Sequence, residues 1–206
     1  MAREPFWPAQ FAVAAALALY LTLPHRLMMG PTWLLPALEV VLLLPLVLTT
    51  PHRIADERMR VRHATVTLIG TIGAANALAL GLLVHYLLKG GHASGSDLLV
   101  SAVTIWLTNV LVFALWYWEL DRGGPGRRAE SPGAGDFRFP QQQGGDRAWA
   151  PGFADYLYLS FANATALSPT DTVPLSAWAK LLMMLQALVS LLTLVLVAAH
   201  AVNVLG

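Results

Sequence analysis

A lone carboxylate, Glu39, interrupts the apolar run from Trp33 to Thr49. A second, Asp171, belongs to the oxygen-rich string Ser168-Pro169-Thr170-Asp171-Thr172, which lies between two apolar segments. Farther on, Gln186, Ser190 and Thr193 follow one another at spacings of four and three, which places them on one face of a helix. These are oxygen and amide groups set in hydrocarbon-like surroundings. Their chemistry is to receive a proton or a cation, or to hydrogen-bond helices together. A carboxylate at mid-bilayer depth costs about 2.5–3.5 kcal/mol on insertion scales. Glu39 must therefore be paired, protonated, or turned toward water or other helices. It is either an ion or proton site or a buried interhelical hydrogen bond. Asn76, His85 and Asn109 are its candidate partners.

Other chemistries have no footing. There is no cysteine, hence no disulfide and no thiolate metal site. The six histidines lack a metal-ligand spacing, so no metal is expected. No phosphate-binding loop, nucleophile elbow, zinc motif or kinase signature occurs, and no cofactor or enzymatic activity is expected. A net charge of +1 gives no case for nucleic acid as a partner.

The elements that position these groups are apolar helices. Of 206 residues, 56% are hydrophobic and only 12% charged, a balance that fits a polytopic protein with the lipid bilayer as its partner. A span needs roughly 20 apolar residues. Five segments meet or approach this: Trp7–Leu23, Trp33–Thr49, Ala64–Leu88, Leu98–Trp118 and Ser176–Leu205. Gly152–Ala166 is too short and reads as a re-entrant or interfacial helix. The expected fold is thus an all-α membrane protein of five transmembrane helices plus one short re-entrant helix. It divides into a four-helix region (1–120), a flexible Gly/Pro/Arg-rich loop (121–151) and a C-terminal hairpin (152–206). Arg3 and the first apolar run resemble a signal peptide, but no A-x-A site follows, so that run reads as a retained span.

The basic residues set orientation. With five spans, Arg3, Arg53, Arg58, Arg60, Arg62, Arg122, Arg127, Arg128, Arg138, Arg147 and Lys180 share one face, and only Arg26 and Lys89 the other. The rule makes the first face cytoplasmic, with the N-terminus inside and the C-terminus outside. The short helix would then enter from the cytoplasm.

Two further patterns concern packing. Gly73, Ala77 and Gly81 form a small-xxx-small stripe that lets helix backbones approach, within one subunit or between subunits. Trp116-Tyr117-Trp118 reads as an interfacial aromatic belt. In the loop, Phe137, Phe139 and Trp149 are candidates to touch the membrane surface, and the arginines to meet solvent or anionic lipid.

From Asp155 through Lys180 the chain resembles the pore hairpin of the potassium-channel superfamily. Ser160 falls within the pore helix and Ala164-Thr165 close it. Ala166-Leu167-Ser168-Pro169-Thr170-Asp171 fall on the filter, and Pro174, Trp178, Ala179 and Lys180 on the landmarks that follow, without a gap. More of the chain, including WYWELDRGG and DFRFP, resembles an uncharacterised bacterial polytopic membrane-protein family with the same hairpin. The resemblance implies a homotetramer, a bacterial inner-membrane location and monovalent cations as the permeating species. Its filter-like and pore residues would be Thr165 through Asp171, and Gln186, Ser190 and Thr193 would face the pore.

The filter identities differ. A potassium filter aims rings of backbone carbonyls at a dehydrated ion, and two glycines permit the alternating backbone this needs. Here Ser168 and Thr170 stand in those places. Pro169 replaces the tyrosine and has no N–H. Ala166 replaces a threonine hydroxyl. A potassium-selective filter of the usual shape is not expected, which leaves a channel of low or non-potassium selectivity. Four copies of Asp171 would form a carboxylate ring favouring cations; equally, Asp171 can cap the turn before the last helix. The polar stripe on that helix can face a pore or join helices. The alternatives are a non-conducting sensory or structural scaffold, or a small ion- or proton-linked transporter built on Glu39.

Overall fold

In a computed structural model of the chain, residues 7–21, 23, 55–89, 95–128, 135–143, 149–165 and 171–205 are described. Of the described residues, 86% are helical. Its helices are α1 (Trp7–Leu21), α2 (Ala55–Leu88), α3 (Gly95–Leu120), the short α4 (Pro125–Arg128) and α5 (Pro140–Gln143), then α6 (Phe153–Thr165) and α7 (Ala177–Leu205). Two residue pairs form a small antiparallel ribbon, β1 (Phe137–Arg138) with β2 (Val173–Pro174).

Among the described residues, three helical segments are long and apolar enough to cross a membrane: Thr65–Leu88, Asp97–Gly123 and Ala177–Ala199. Of the five expected spans, these are the third, fourth and fifth. The first is a helix of 15 residues, about 22 Å at 1.5 Å per residue and short of a roughly 30 Å hydrocarbon core. The second lies outside the described residues. The 13-residue α6 is shorter still.

Packing divides the chain into two compact units, Met1–Ala12 with Asn109–Leu192, and Val13–Thr108 with Thr193–Gly206. The division runs through α3 and α7. In the second unit, Thr65, Leu68, Ile69, Ile72, Asn76, Ala79, Leu80 and Leu83 are the buried positions of α2. Their three- and four-residue spacing makes one inward stripe. Asn76 donates from Nδ2 to the carbonyl of Ile105 on α3 (3.2 Å), both residues being buried. Thr71 and Ser101 return their hydroxyl protons to the carbonyls of Thr67 and Asp97 on their own helices, so neither demands an outside partner. The small-residue stripe does not serve this packing: Ala77 and Gly81 are exposed, and a Cβ at Gly81 would meet nothing within 4 Å.

The first unit holds the hairpin. Gly152 caps the start of helix α6: its N–H donates to Asp155 Oδ2 (2.8 Å) while Asp155 N–H returns to the Gly152 carbonyl (3.0 Å). This reciprocal pairing satisfies a first-turn donor and puts a carboxylate at the positive helix end. Helix α7 is capped by Ser176, whose Oγ accepts from Ala179 N–H (3.1 Å). Segment 121–151 is more than a flexible loop. Its described residues include a 3-10 turn, α4, β1 and α5. The alternation Phe137-Arg138-Phe139 explains the strand: both rings are buried and the arginine between them is exposed.

Candidate functional site: a short helix held by buried polar groups

Helix α6 carries Tyr156, Ser160 and Asn163 at i, i+4 and i+7, so they share a face. Ser160 and Asn163 meet Gln186 of α7. Gln186 is fully buried, and its side chain is saturated. Nε2 donates to the Ser160 carbonyl (2.8 Å) and to Ser160 Oγ (2.6 Å). Oε1 accepts from Tyr117 Oη of α3 (2.6 Å) and from Asn163 Nδ2 (2.9 Å). The other Asn163 proton goes to the carbonyl of Met183 (3.0 Å).

The same network reaches α3 twice more. Ser160 Oγ donates to the Val110 carbonyl (2.6 Å). Asn109 Nδ2 donates to the Gln186 carbonyl (3.2 Å) and to Ser190 Oγ (2.9 Å). Every N–H of the Asn109, Asn163 and Gln186 side-chain amides thus has an acceptor. That is the condition under which a buried polar cluster stabilises rather than costs.

Gln186, Ser190 and Thr193 do form one stripe, but it is turned into the chain and all three side chains are buried. The opposite side of α7 is apolar, with Trp178, Leu181, Met184, Leu185, Leu188, Leu191, Leu192, Leu194 and Val195 exposed. Only 17% of the α7 span is buried inside the chain, against 61% for the α3 span. Polar groups turned inward find partners that an apolar surrounding would deny them.

A second cluster stands at the end of α3. Asp121 is fully buried. Its Oδ2 accepts from Tyr156 Oη (2.5 Å) and its Oδ1 from the backbone N–H of Asp136 (2.7 Å). Buried Arg128 donates from Nη1 to Tyr156 Oη (2.8 Å) and to the Trp118 carbonyl (3.0 Å). It lies 3.9 Å from Asp121 Oδ2, with the guanidinium 4.9 Å from the centre of the Tyr156 ring. The charges are therefore neutralised where they are buried. Phe137 and Phe139 pack edge-on to Tyr156, and Trp149 packs on Phe139. Phe137 and Phe139 are only 2% and 3% exposed. Phe137 and Phe139 therefore belong to a core inside the chain rather than lying free at its surface, whereas Trp149 is half-buried. Tyr117 and Trp118 are likewise buried inside the chain, and Trp116 is half-buried.

The filter-like residues divide. Thr165 ends α6, its hydroxyl donating to the Ala162 carbonyl (2.9 Å). Asp171 is exposed. Ala166, Leu167, Ser168, Pro169 and Thr170 lie outside the described residues, as does Glu39. Two of the partners considered for Glu39 bond elsewhere, Asn76 to Ile105 and Asn109 to Gln186 and Ser190. Pro174 lies in β2, Trp178 and Lys180 are exposed, and Ala179 is buried.

Asp121, Arg128, Asn163, Tyr117 and Tyr156 were not singled out as site residues by the sequence. One signal was present: an alternating aromatic triplet inside an otherwise Gly/Pro-rich stretch, which marks a strand with one buried side. Among the described residues, no group of three or more His, Asp or Glu side chains is placed to hold a metal ion. Comparison with protein-family models, with curated proteins and with solved structures gives no match to this chain.

Proposed function

We propose that this chain is a potassium-channel-like membrane protein. It works as a homotetramer and passes monovalent cations with low or no preference for potassium. Residues 166–171, ALSPTD, stand in place of a filter, and α6 serves as the re-entrant pore helix. The observation that carries this reading is the grip on α6. Through Ser160 and Asn163 it is bonded to α3 on one side and α7 on the other, and both of those helices are apolar enough to cross a membrane. A short helix held between two spans is what a pore hairpin requires. In the tetramer, Asp171 supplies a carboxylate ring at the pore mouth, which favours cations. With five spans in a bacterial inner membrane, as the resemblance implies, the charge asymmetry favours a cytoplasmic N-terminus and an outside C-terminus.

One observation favours a second reading, a non-conducting scaffold of the same architecture. Gln186 and Ser190 of α7 are bonded within the chain, and the described residues of its outer face are mostly apolar. Potassium and sodium flux into proteoliposomes separates the two. Protein-dependent flux with little discrimination, altered by Asp171→Asn, supports the channel. No flux from folded, oligomeric protein refutes it and leaves the scaffold.

A further inference from the structure

The segment between α3 and α6 returns to the entrance of α7 and binds it there. The Asp136 carbonyl accepts from Leu175 N–H (2.8 Å), and β1 pairs with β2 in the register Phe137 to Pro174 and Arg138 to Val173. In this antiparallel register, Phe137 and Pro174 occupy the pair that exchanges no ladder bonds. The missing N–H of Pro174 therefore costs the ribbon nothing. The same Asp136 donates its own N–H to Asp121 Oδ1. A single residue thus relays from a buried carboxylate at the end of α3 to Leu175, close to the start of α7. The other oxygen of that carboxylate holds Tyr156 on α6. The approach is close: a Cβ at Gly135 would lie 2.7 Å from Asp121 Oδ1.

We infer that Asp121 is a positioning residue for the hairpin. It fixes α6 with one oxygen and, with the other, fixes the Asp136–Arg138 strap that holds Val173–Leu175. The segment joining α6 to β2 is therefore anchored on both flanks through one carboxylate. The consequence for ion selection rests on the channel reading; the positioning does not.

The chain contains no cysteine, so an introduced pair reports the strap directly. Arg138 and Val173 are both exposed and face each other in the ribbon. A ladder-bonded antiparallel pair has Cα atoms about 5.5 Å apart, inside the range of a disulfide. Arg138→Cys with Val173→Cys is expected to cross-link rapidly in membranes under mild oxidant. Adding Asp121→Ala should slow that cross-linking about ten- to a hundredfold, the effect of losing a hydrogen bond to a charged acceptor. Asp121→Asn keeps a neutral acceptor for Asp136 N–H and should recover part of the lost rate, falling between Asp121→Ala and wild type. Gly135→Ala, which pushes on Oδ1 from the other side, should slow it as well, and decides the matter if Asp121→Ala does not accumulate.

Cross-linking that is indifferent to Asp121→Ala, or to Gly135→Ala where that variant decides, overturns the inference. In proteoliposomes, Asp121→Ala should shift the potassium-to-sodium flux ratio, and the preformed disulfide should return it toward wild type. Flux absent from every variant overturns the channel reading alone, and the cross-linking rates still judge the strap. A ratio shifted by Asp121→Ala and not restored by the disulfide refutes action through the strap.

Discussion

Tyr117 Oη donates a 2.6 Å hydrogen bond to Gln186 Oε1, joining residues 69 apart in sequence. It is one of four bonds that saturate a fully buried amide. Gln186→Leu keeps the approximate volume and removes all four. Interhelical hydrogen bonds in membranes average about 0.6 kcal/mol each, while a buried group left without a partner costs about 1–3 kcal/mol. The expected loss is about 2–4 kcal/mol by unfolding in a denaturing-detergent titration. Tyr117→Phe leaves three of the four bonds and should lose about 0.5–1.5 kcal/mol. A Gln186→Leu protein as stable as wild type would contradict the network.

Ser160 and Gln186 should prove strongly non-additive. Ser160 Oγ accepts from Gln186 Nε2 and donates to the Val110 carbonyl. Ser160→Ala removes one of the two acceptors on which Gln186 Nε2 depends. Residues within one hydrogen-bond network show interaction energies of about 0.5–3 kcal/mol. In a double-mutant cycle with Gln186→Leu, a coupling of about 1 kcal/mol is expected. Energies that add to within about 0.3 kcal/mol would separate the two residues.

The helical part of this fold is written in local composition. Apolar length alone marks Ala64–Leu88, Leu98–Trp118 and Ser176–Leu205 as candidate spans, whereas the inward face of α2 is not legible from its small residues, since Gly73, Ala77 and Gly81 are not its buried positions. The stripe of Gln186, Ser190 and Thr193 is legible too, but its direction is not. Periodicity says that polar groups share a face. Which neighbour that face meets depends on partners far away in sequence, here Asn109, Tyr117 and Ser160. The Asp121 cluster was harder still. Arg122 to Ala150 has the Gly, Pro and charge content of a solvated loop, and composition cannot register that one carboxylate binds Tyr156 and Asp136 at once. Only the alternation Phe137-Arg138-Phe139 carried a trace of it.

Arg128 is the cation that makes burial of Asp121 tolerable. Its Nη1 serves Tyr156 Oη and the Trp118 carbonyl, and its charge lies 3.9 Å from the carboxylate. Removing one partner of a buried ion pair costs about 3–5 kcal/mol, because the other charge is left uncompensated. Arg128→Ala should lower stability by that amount in the same detergent titration. Arg128→Lys keeps the charge without the planar fork that reaches several acceptors at once, and should fall between Ala and wild type. Equal losses for Ala and Lys would mean that hydrogen-bond geometry, not charge, dominates.

The joint between α3 and α4 gives the sharpest backbone test. Arg122, Gly123 and Gly124 all have positive φ, at 55°, 77° and 96°. Gly124 N–H donates to the Asp121 carbonyl (3.0 Å), and the Gly124 carbonyl accepts from Arg128 N–H (2.9 Å). This residue thus ties the buried aspartate to the helix that carries its arginine. A Cβ at Gly124 would lie 3.1 Å from the Glu119 carbonyl oxygen, a backbone atom that cannot swing aside. Left-handed or similarly rare backbone costs a residue with a Cβ about 1–3 kcal/mol. Gly124→Ala should therefore destabilise by about 2–3 kcal/mol. Arg122→Gly is the control. Relief of the left-handed penalty, about 1–2 kcal/mol, is offset by the greater backbone freedom glycine loses on folding, about 0.5–1 kcal/mol. Its stability should stay within about 1 kcal/mol of wild type. If Gly124→Ala is neutral while Arg122→Gly is costly, the chain leaves α3 by another path, and the anchoring of Asp121 against Arg128 fails with it.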